Sequence, residues 1–159
     1  MTGPHIGQEP DEHHRYRRYL QALEEATETD ETQLVTTVLR DQDTTMAEAA
    51  VNQHLQRRAA QLLTDPVFTT WAQALATAIT DRPFLIRRLH EWTLLKTIAL
   101  DEPWIDEQLI TASDWLQRTA ASSQIITSRR ALSLLADQGR TRRVRNAANR
   151  RLHQPQQPC

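Results

Sequence analysis

Apolar residues recur at intervals of three and four along most of the chain, and no stretch alternates apolar and polar positions over several residues. This spacing is that of one face of an α-helix. The pattern therefore predicts an all-α protein of about eight short antiparallel helices. We expect these helices at residues 11–28, 31–40, 45–63, 66–80, 83–99, 103–121, 127–138 and 141–152.

Short motifs mark where the helices begin and end. Three starts are predicted by a proline that follows an acidic residue closely, at Asp65-Pro66, Asp81–Pro83 and Asp101–Pro103. "TMAE", Thr45–Glu48, has the spacing of a capping box. Gly139 followed by Thr141 predicts the end of one helix and the start of the next. The loops are therefore expected to be short.

The helix predicted at 83–99 is apolar around most of its circumference, which is typical of a helix at the centre of a core. Its apolar residues, with the residue that follows it, are Phe84, Leu85, Ile86, Leu89, Trp92, Leu94, Leu95, Ile98 and Leu100. Lys96 projects among these side chains. We expect its ammonium group to reach solvent or an acidic partner rather than to act in catalysis. The acidic candidates are Asp101, Asp106 and Glu107.

Trp104 and Trp115 are eleven residues apart, so a helix over 103–121 would place both on the same side. Core packing is the expected role of the two indoles, because large aromatic side chains are mostly buried. Interface anchors are the alternative, since tryptophan is enriched at binding hot spots.

A chain of 159 residues is the size of one domain. We expect a single all-α domain at 11–153 between two flexible tails, at 1–10 and 154–159, whose Pro, Gly and Gln content suits loose segments. The only cysteine, Cys159, falls in the second tail, so internal disulfides are not expected.

Two segments resemble the second helix of a HEAT repeat. Leu39–Leu55 has acidic residues in a turn and then the alanine pair Ala49-Ala50, and Val144–Leu152 has the alanine pair Ala147-Ala148. The resemblance implies stacked helical pairs, and an irregular α bundle is the alternative for the middle of the chain. It also implies an adaptor or scaffold role, because such repeats offer extended binding surfaces.

Composition argues against several classes of function. The three glycines are Gly3, Gly7 and Gly139, which cannot form a phosphate-binding loop or a dinucleotide fingerprint. Adjacent His13 and His14 would point about 100° apart on a helix, so a shared metal ion is not expected. No catalytic motif is present, and we expect neither enzymatic activity nor a cofactor.

The apolar runs are interrupted by charged residues, so no membrane partner is expected. The first thirty residues carry acids and arginines instead of a basic start followed by an apolar run, so a secretory signal is not expected and a cytoplasmic location is. Arginine outnumbers lysine eighteen to one, a usage typical of a GC-rich bacterial genome. The net charge of −1 is unevenly distributed: residues 1–50 carry −7 and residues 129–159 carry +7. The chain is therefore acidic at one end and basic at the other.

The basic end contains the candidate binding residues. In "TRRVRNAANRRL", residues 141–152, the apolar stripe contains Val144 and Ala148, and Arg151 falls on the same stripe. The arginine cluster, defined as Arg142, Arg143, Arg145 and Arg150, projects away from that stripe. These four residues are the predicted site of partner binding.

The arginine cluster has three interpretations. It is a solvent-exposed helix face, a binding site for nucleic-acid phosphates, or a binding surface for an acidic protein, including the acidic end of a second copy of this chain. Residues 129–159 contain no aromatic side chain that could stack on a base, which weakens the nucleic-acid interpretation.

The main hypothesis for function is a non-catalytic adaptor that binds a protein partner. A nucleic-acid-associated helical protein that uses the arginine cluster is the alternative. The third hypothesis is an enzyme whose polar groups, such as Lys96 and His90, converge only in the folded chain.

Overall fold

The computed structural model describes residues 11–154, within which there are nine α-helices and no β-strand. The prediction of an all-α protein is confirmed. The helices are α1 (Asp11–Glu25), α2 (Glu31–Val38), α3 (Thr44–Leu62), α4 (Phe68–Ala78), α5 (Pro83–Ala99), α6 (Asp106–Ile110), α7 (Asp114–Ser122), α8 (Arg129–Gln138) and α9 (Arg142–Leu152). The tails predicted at 1–10 and, except for Gln154, at 154–159 lie outside the described residues, and so does Cys159.

The chain divides into two compact units, Met1–Leu89 (unit 1) and His90–Cys159 (unit 2), and the division falls within α5. In unit 1, α1 packs against α3, and α2 packs against α4. In unit 2, α9 packs against α7 and α8, and α6 packs against α8. The single domain at 11–153 stays a prediction.

Small side chains on α3 face the core of unit 1. Ala47, Ala50 and Val51 are fully buried there, which allows the backbone of a neighbouring helix to approach closely. Ala49, the other member of the predicted alanine pair, is exposed. It lies two residues from Ala47, roughly 160° around the helix, and therefore on the opposite face. The HEAT-like pairing stays a prediction.

Helix α5 buries one stripe rather than its whole circumference. Its buried side chains recur every three or four residues: Leu85, Leu89, Trp92, Leu95 and Ile98. Phe84 is 44% exposed, and Leu100, just after the helix, is 40% exposed. The helix is therefore buried along one stripe and not around most of its circumference, which corrects the prediction of a helix at the centre of the core.

The helix predicted at 103–121 is two helices, α6 and α7. The side-chain oxygen of Ser113 accepts a hydrogen bond from the backbone N–H of Leu116, which caps α7. Buried Gln117 donates its side-chain amide to the carbonyl oxygens of Leu109 and Ile110, at 2.9 and 3.1 Å. Gln117 therefore supplies hydrogen-bond donors to these carbonyls, and the helix can end there without leaving them unpaired.

Two other predicted helix starts are displaced. Helix α3 is capped by Asp43, whose carboxylate accepts from the N–H of Met46 at 3.0 Å, and not by Thr45. Helix α4 begins two residues later than expected, because Asp65 Oδ1 accepts from the N–H of Val67 and holds a turn there. The start at Pro83 is confirmed.

The segment that begins at Asp101 ends α5 instead of starting the next helix. Asp101 has a positive φ of 55°, and the N–H of Glu102 donates to the carbonyl oxygen of Thr97 at 2.9 Å. This is the Schellman arrangement, in which a left-handed residue reverses the chain and satisfies the last carbonyls. The next helix begins only at Asp106, so the start predicted at Pro103 is wrong.

Replacing Asp101 by glycine should raise stability, because glycine adopts positive φ without the steric cost borne by an L side chain. We expect a gain of about 0.5 to 1 kcal/mol in the free energy of unfolding, measured by urea denaturation. Asp101→Ala is the control and should give no gain, since alanine keeps the Cβ. Equal stability of the two variants would contradict this explanation.

Gly139, between α8 and α9, is required for close approach rather than for unusual backbone angles. It is buried, and a Cβ added to it would lie 2.5 Å from the carbonyl oxygen of Leu135 and 2.8 Å from Cγ1 of Val144. Both distances are shorter than van der Waals contact. The predicted stop at Gly139 and restart after Thr141 are confirmed, and the reason is that α8 and α9 pack directly against each other.

Gly139→Ala should therefore lower the free energy of unfolding by about 1 to 3 kcal/mol, the usual cost of overpacking. The urea midpoint reports this loss. Gln138→Ala, at the exposed neighbouring position, should change stability by less than about 0.5 kcal/mol. A Gly139→Ala variant as stable as the Gln138→Ala variant would show that α8 and α9 are not held this closely.

Candidate functional site

Helix α9 is firmly attached to unit 2. The Thr141 side-chain oxygen accepts from the N–H of Val144 at 3.1 Å and so caps the helix. Val144 and Ala148 are fully buried against the neighbouring helices. The opposite face of α9 therefore presents its side chains from a fixed support.

The structure divides the arginine cluster. Arg142, Arg143 and Arg150 are exposed, and within residues 11–154 their side chains have no hydrogen bond or ion pair. Arg145 is half-buried and donates Nη1 to the carbonyl oxygen of Gly139 at 2.7 Å. Three of the four predicted residues therefore face solvent, and the fourth stabilises the turn before α9.

Two asparagines lie among the three exposed arginines. Asn146 and Asn149 are exposed on the same side of the helix. We define the α9 polar face as Arg142, Arg143, Asn146, Asn149 and Arg150. Arg142 and Arg150 are eight residues apart, roughly 12 Å along the axis. The face can therefore donate hydrogen bonds to an anionic segment over more than two helical turns.

Arg151 is a structural arginine that sequence reasoning left unexplained. Its guanidinium donates to the carbonyl oxygens of Ala120, Ala121 and Ile126, at 3.3, 3.4 and 2.5 Å. Burial lowers the pKa of Arg151. Arg151 lies on the apolar stripe of α9 because α7 ends there with backbone carbonyls that need donors.

An exposed apolar residue lies at the C-terminal end of α9. Ile125 is 41% exposed, and it precedes Ile126, whose carbonyl oxygen Arg151 binds. The adjacent Leu152 is only half-buried. Apolar surface therefore lies near the C-terminal end of α9.

Lys96 and His90 have different surroundings on α5. Lys96 Nζ lies 3.1 Å from a carboxylate oxygen of Glu102, an ion pair with an acid other than the three expected ones. His90 is exposed. The acidic partner of Lys96 differs because the left-handed turn at Asp101 brings Glu102 back toward the last turn of α5.

Trp104 and Trp115 lie on different elements of unit 2, so the prediction that they share one helix is wrong. Trp104 precedes α6, is buried, and has the guanidinium carbon of Arg130 3.9 Å from its ring centroid. Arg130 also pairs with Asp106 at 2.5 Å. Trp115, on α7, is half-buried and packs edge-on against Trp92 with centroids 5.4 Å apart.

Unit 1 contains a second site that sequence reasoning missed, around buried Glu31 at the start of α2. The carboxylate of Glu31 is a buried charge that needs partners. Arg58 donates Nε to its Oε1 at 2.8 Å, and Trp71 donates its indole N–H to Oε2 at 2.8 Å. Three helices, α2, α3 and α4, are therefore joined at one carboxylate.

His54, on α3, is the third neighbour of Glu31. It is 2% exposed, and its Nε2 lies 3.3 Å from Glu31 Oε1. Arg57 Nη2 lies 2.8 Å from His54 Nδ1, and a guanidinium can only donate. Nδ1 is therefore the acceptor, which assigns the ring proton to Nε2, facing Glu31.

The partners of Glu31 determine its charge state. Burial raises the pKa of this carboxyl, but the donors of His54, Arg58 and Trp71 outweigh burial and lower it from 4.5 to about 2. The carboxylate is therefore ionised at neutral pH although it is buried.

Two cavities open beside the Glu31–Arg58 pair. The smaller, the α2–α4 cavity, has a volume of about 180 Å³. Its lining is Glu28, Glu31, Thr32, Arg58, Val67, Thr70, Trp71 and Ala74. The larger, of about 380 Å³, has a more polar lining that includes Glu24, Arg57 and Gln61. Unit 1 therefore offers two solvent-open clefts next to a fixed set of charges.

The sequence carries only a weak signal for this second site. Glu31 is 23 residues from His54 and 40 from Trp71, and it has the pattern of an ordinary acid in a first helical turn. His54 follows Ala50 by four positions and Val51 by three, which places it on the apolar face of α3. A polar residue on that face indicates a buried partner without identifying it.

Within residues 11–154 no group of three His, Cys, Asp or Glu side chains is placed to hold a metal ion. No helix in this range is long and apolar enough to cross a membrane. The chain matches no protein-family model, and it is not detectably similar to any curated protein or solved structure. The contacts described above therefore carry the functional argument.

The low pKa of Glu31 makes stability depend on pH. Because the folded-state pKa is about 2 and the unfolded value is 4.5, the carboxylate stabilises the fold above pH 4.5, and this contribution is lost as pH falls toward 2. The difference in unfolding free energy between the wild type and Glu31→Gln should shrink by up to about 3 kcal/mol over this range.

Urea titrations from pH 2 to 7 measure this difference. Glu107→Gln, at an exposed position of α6, is the matched control. Its stability difference from the wild type should stay nearly constant with pH. A pH-independent difference for Glu31→Gln would show that the buried carboxylate does not have this low pKa.

Proposed function

We propose that this protein is a non-catalytic adaptor that binds an acidic protein segment on the α9 polar face. The observation that carries the proposal is the position of Arg142, Arg143 and Arg150, which are exposed on one helix without a carboxylate partner in the described part of the chain. Cations left unpaired on a rigid support are available to carboxylates of another molecule.

The surroundings of this face favour a protein over a nucleic acid. Exposed Ile125 provides apolar surface near the C-terminal end of α9, and protein interfaces use apolar surface together with arginine. Residues 129–154 contain no aromatic side chain for stacking on a base. The HEAT-like resemblance of 39–55 and 144–152 supports the same role. The cytoplasmic, bacterial setting expected from the sequence agrees with it.

Non-catalytic function is part of the same proposal. The ion pair of Lys96 with Glu102 and the exposure of His90 support a role for these two residues outside catalysis. Association with the acidic end of a second copy of this chain is one form that the acidic partner could take.

Fluorescence anisotropy tests the proposal with three labelled probes: a glutamate-rich peptide with two leucines, random double-stranded DNA and single-stranded RNA. We expect the peptide to bind in the micromolar range at low salt. The triple variant Arg142→Ala, Arg143→Ala, Arg150→Ala should weaken this binding by at least about tenfold, since each charge-assisted contact contributes.

The matched control is Arg18→Ala, Arg40→Ala, Arg87→Ala, which removes the same charge from exposed positions of unit 1. It should leave peptide affinity within about twofold. Tighter, salt-steep binding of DNA or RNA through the same three arginines would replace the proposal with the nucleic-acid alternative. Absence of binding to all three probes at low salt would contradict both.

A further inference from the structure

The α2–α4 cavity lies in unit 1 and contains none of the residues of the α9 polar face. It is open to solvent and is lined by the turn before α2, by α2, by the C-terminal half of α3, and by α4 with the turn before it. Its volume of about 180 Å³ is slightly larger than that of a cavity of about 150 Å³ that holds benzene. A single ring with a short substituent fits this space.

The charges that line the cavity do not balance. Glu31 and Arg58 form an ion pair at 2.8 Å, so together they contribute no net charge. Glu28, the remaining charged residue of the lining, is exposed and has no ion pair or hydrogen bond from its side chain among the described residues. The cavity therefore has one uncompensated negative charge.

The opposite wall is apolar. Trp71, Val67 and Ala74 line it, and Val67 is 37% exposed. The indole N–H of Trp71 is already donated to Glu31. What Trp71 offers to a ligand is therefore the surface of its ring, which attracts cations as well as apolar groups.

We propose that the α2–α4 cavity binds a small organic cation, an ammonium group attached to one aromatic ring or a short alkyl body. The ammonium lies beside the carboxylate of Glu28, and the body packs on Trp71 and Val67. The carboxylate of Glu28 repels an anion of the same shape. A neutral analogue gains no ionic attraction to Glu28 and should bind more weakly than the cation. The second, larger cavity shares Glu28, Glu31 and Arg58 with this site.

Titration of the ¹⁵N-labelled full chain at pH 7 with benzylammonium tests this site. The chain has four tryptophans, so four indole N–H signals are expected, and that of Trp71 is assigned by triple-resonance spectroscopy with Trp71→Phe as confirmation. We expect a saturable shift of the Trp71 signal with millimolar affinity, while the signals of Trp92, Trp104 and Trp115 stay in place. Benzyl alcohol and benzoate, which have nearly the same shape, are the neutral and anionic probes.

Glu28→Gln should weaken the binding of benzylammonium by at least about fivefold, because it removes the uncompensated charge and keeps the shape. Glu107→Gln is the matched control and should bind like the wild type. Backbone amide signals of α2, α3 and α4 that keep their wild-type positions before ligand is added show that unit 1 is folded in Glu28→Gln, so a loss of binding cannot be mistaken for unfolding.

Three results would overturn the proposal: no saturable shift of Trp71 with benzylammonium, equal shifts with benzoate or benzyl alcohol, or unchanged affinity in Glu28→Gln. The outcome of this titration is independent of the adaptor function, because the two experiments use different probes and substitute different residues. Failure of the α9 binding assay leaves this test unaffected, and the reverse also holds.

Discussion

A chain of short helices must satisfy many backbone groups at helix ends, and this constraint governs both units of the protein. Each α-helix leaves four N–H and four C=O groups without partners inside the helix. Here polar side chains supply partners for several of these groups. Buried Gln117 donates to two carbonyls at the end of α6 and accepts from the N–H of Arg140 at 2.8 Å. Arg151 donates to the carbonyls of Ala120 and Ala121 at the end of α7 and to that of Ile126 beyond it. Without these donors, the close packing around α9 would bury unpaired polar groups, at a cost of about 1 to 3 kcal/mol each.

Unit 1 meets a related constraint with a charged group. Glu31 begins α2, and its buried carboxylate is stabilised by donors from α3 and α4. A buried ion pair is weak evidence for net stability, since its desolvation opposes its attraction. It does fix geometry, because removing any one partner leaves a charge or a donor unpaired. The same arrangement shapes the α2–α4 cavity, where the paired charges cancel and Glu28 does not.

The two candidate binding surfaces have opposite charge and different character. The α9 polar face is convex, basic and exposed, which suits an extended acidic segment. The α2–α4 cavity is small, concave and carries one surplus negative charge, which suits a small cation. The acidic and basic ends visible in the sequence thus become two separate sites, each supported by a buried polar network that holds its helices in place.

The helical class, most helix positions and the exposed arginines of α9 could be predicted from local patterns, because periodicity, caps and the Gly139 stop are local signals. Local patterns failed at 103–121, where the long-range hydrogen bonds of Gln117 end α6, and at Asp101, where a left-handed turn replaced the expected start. Only the tertiary structure could place Glu31, His54 and Trp71 together, since they are far apart in sequence and each alone has an ordinary local role. Their contact depends on how α2, α3 and α4 pack, which no local pattern specifies.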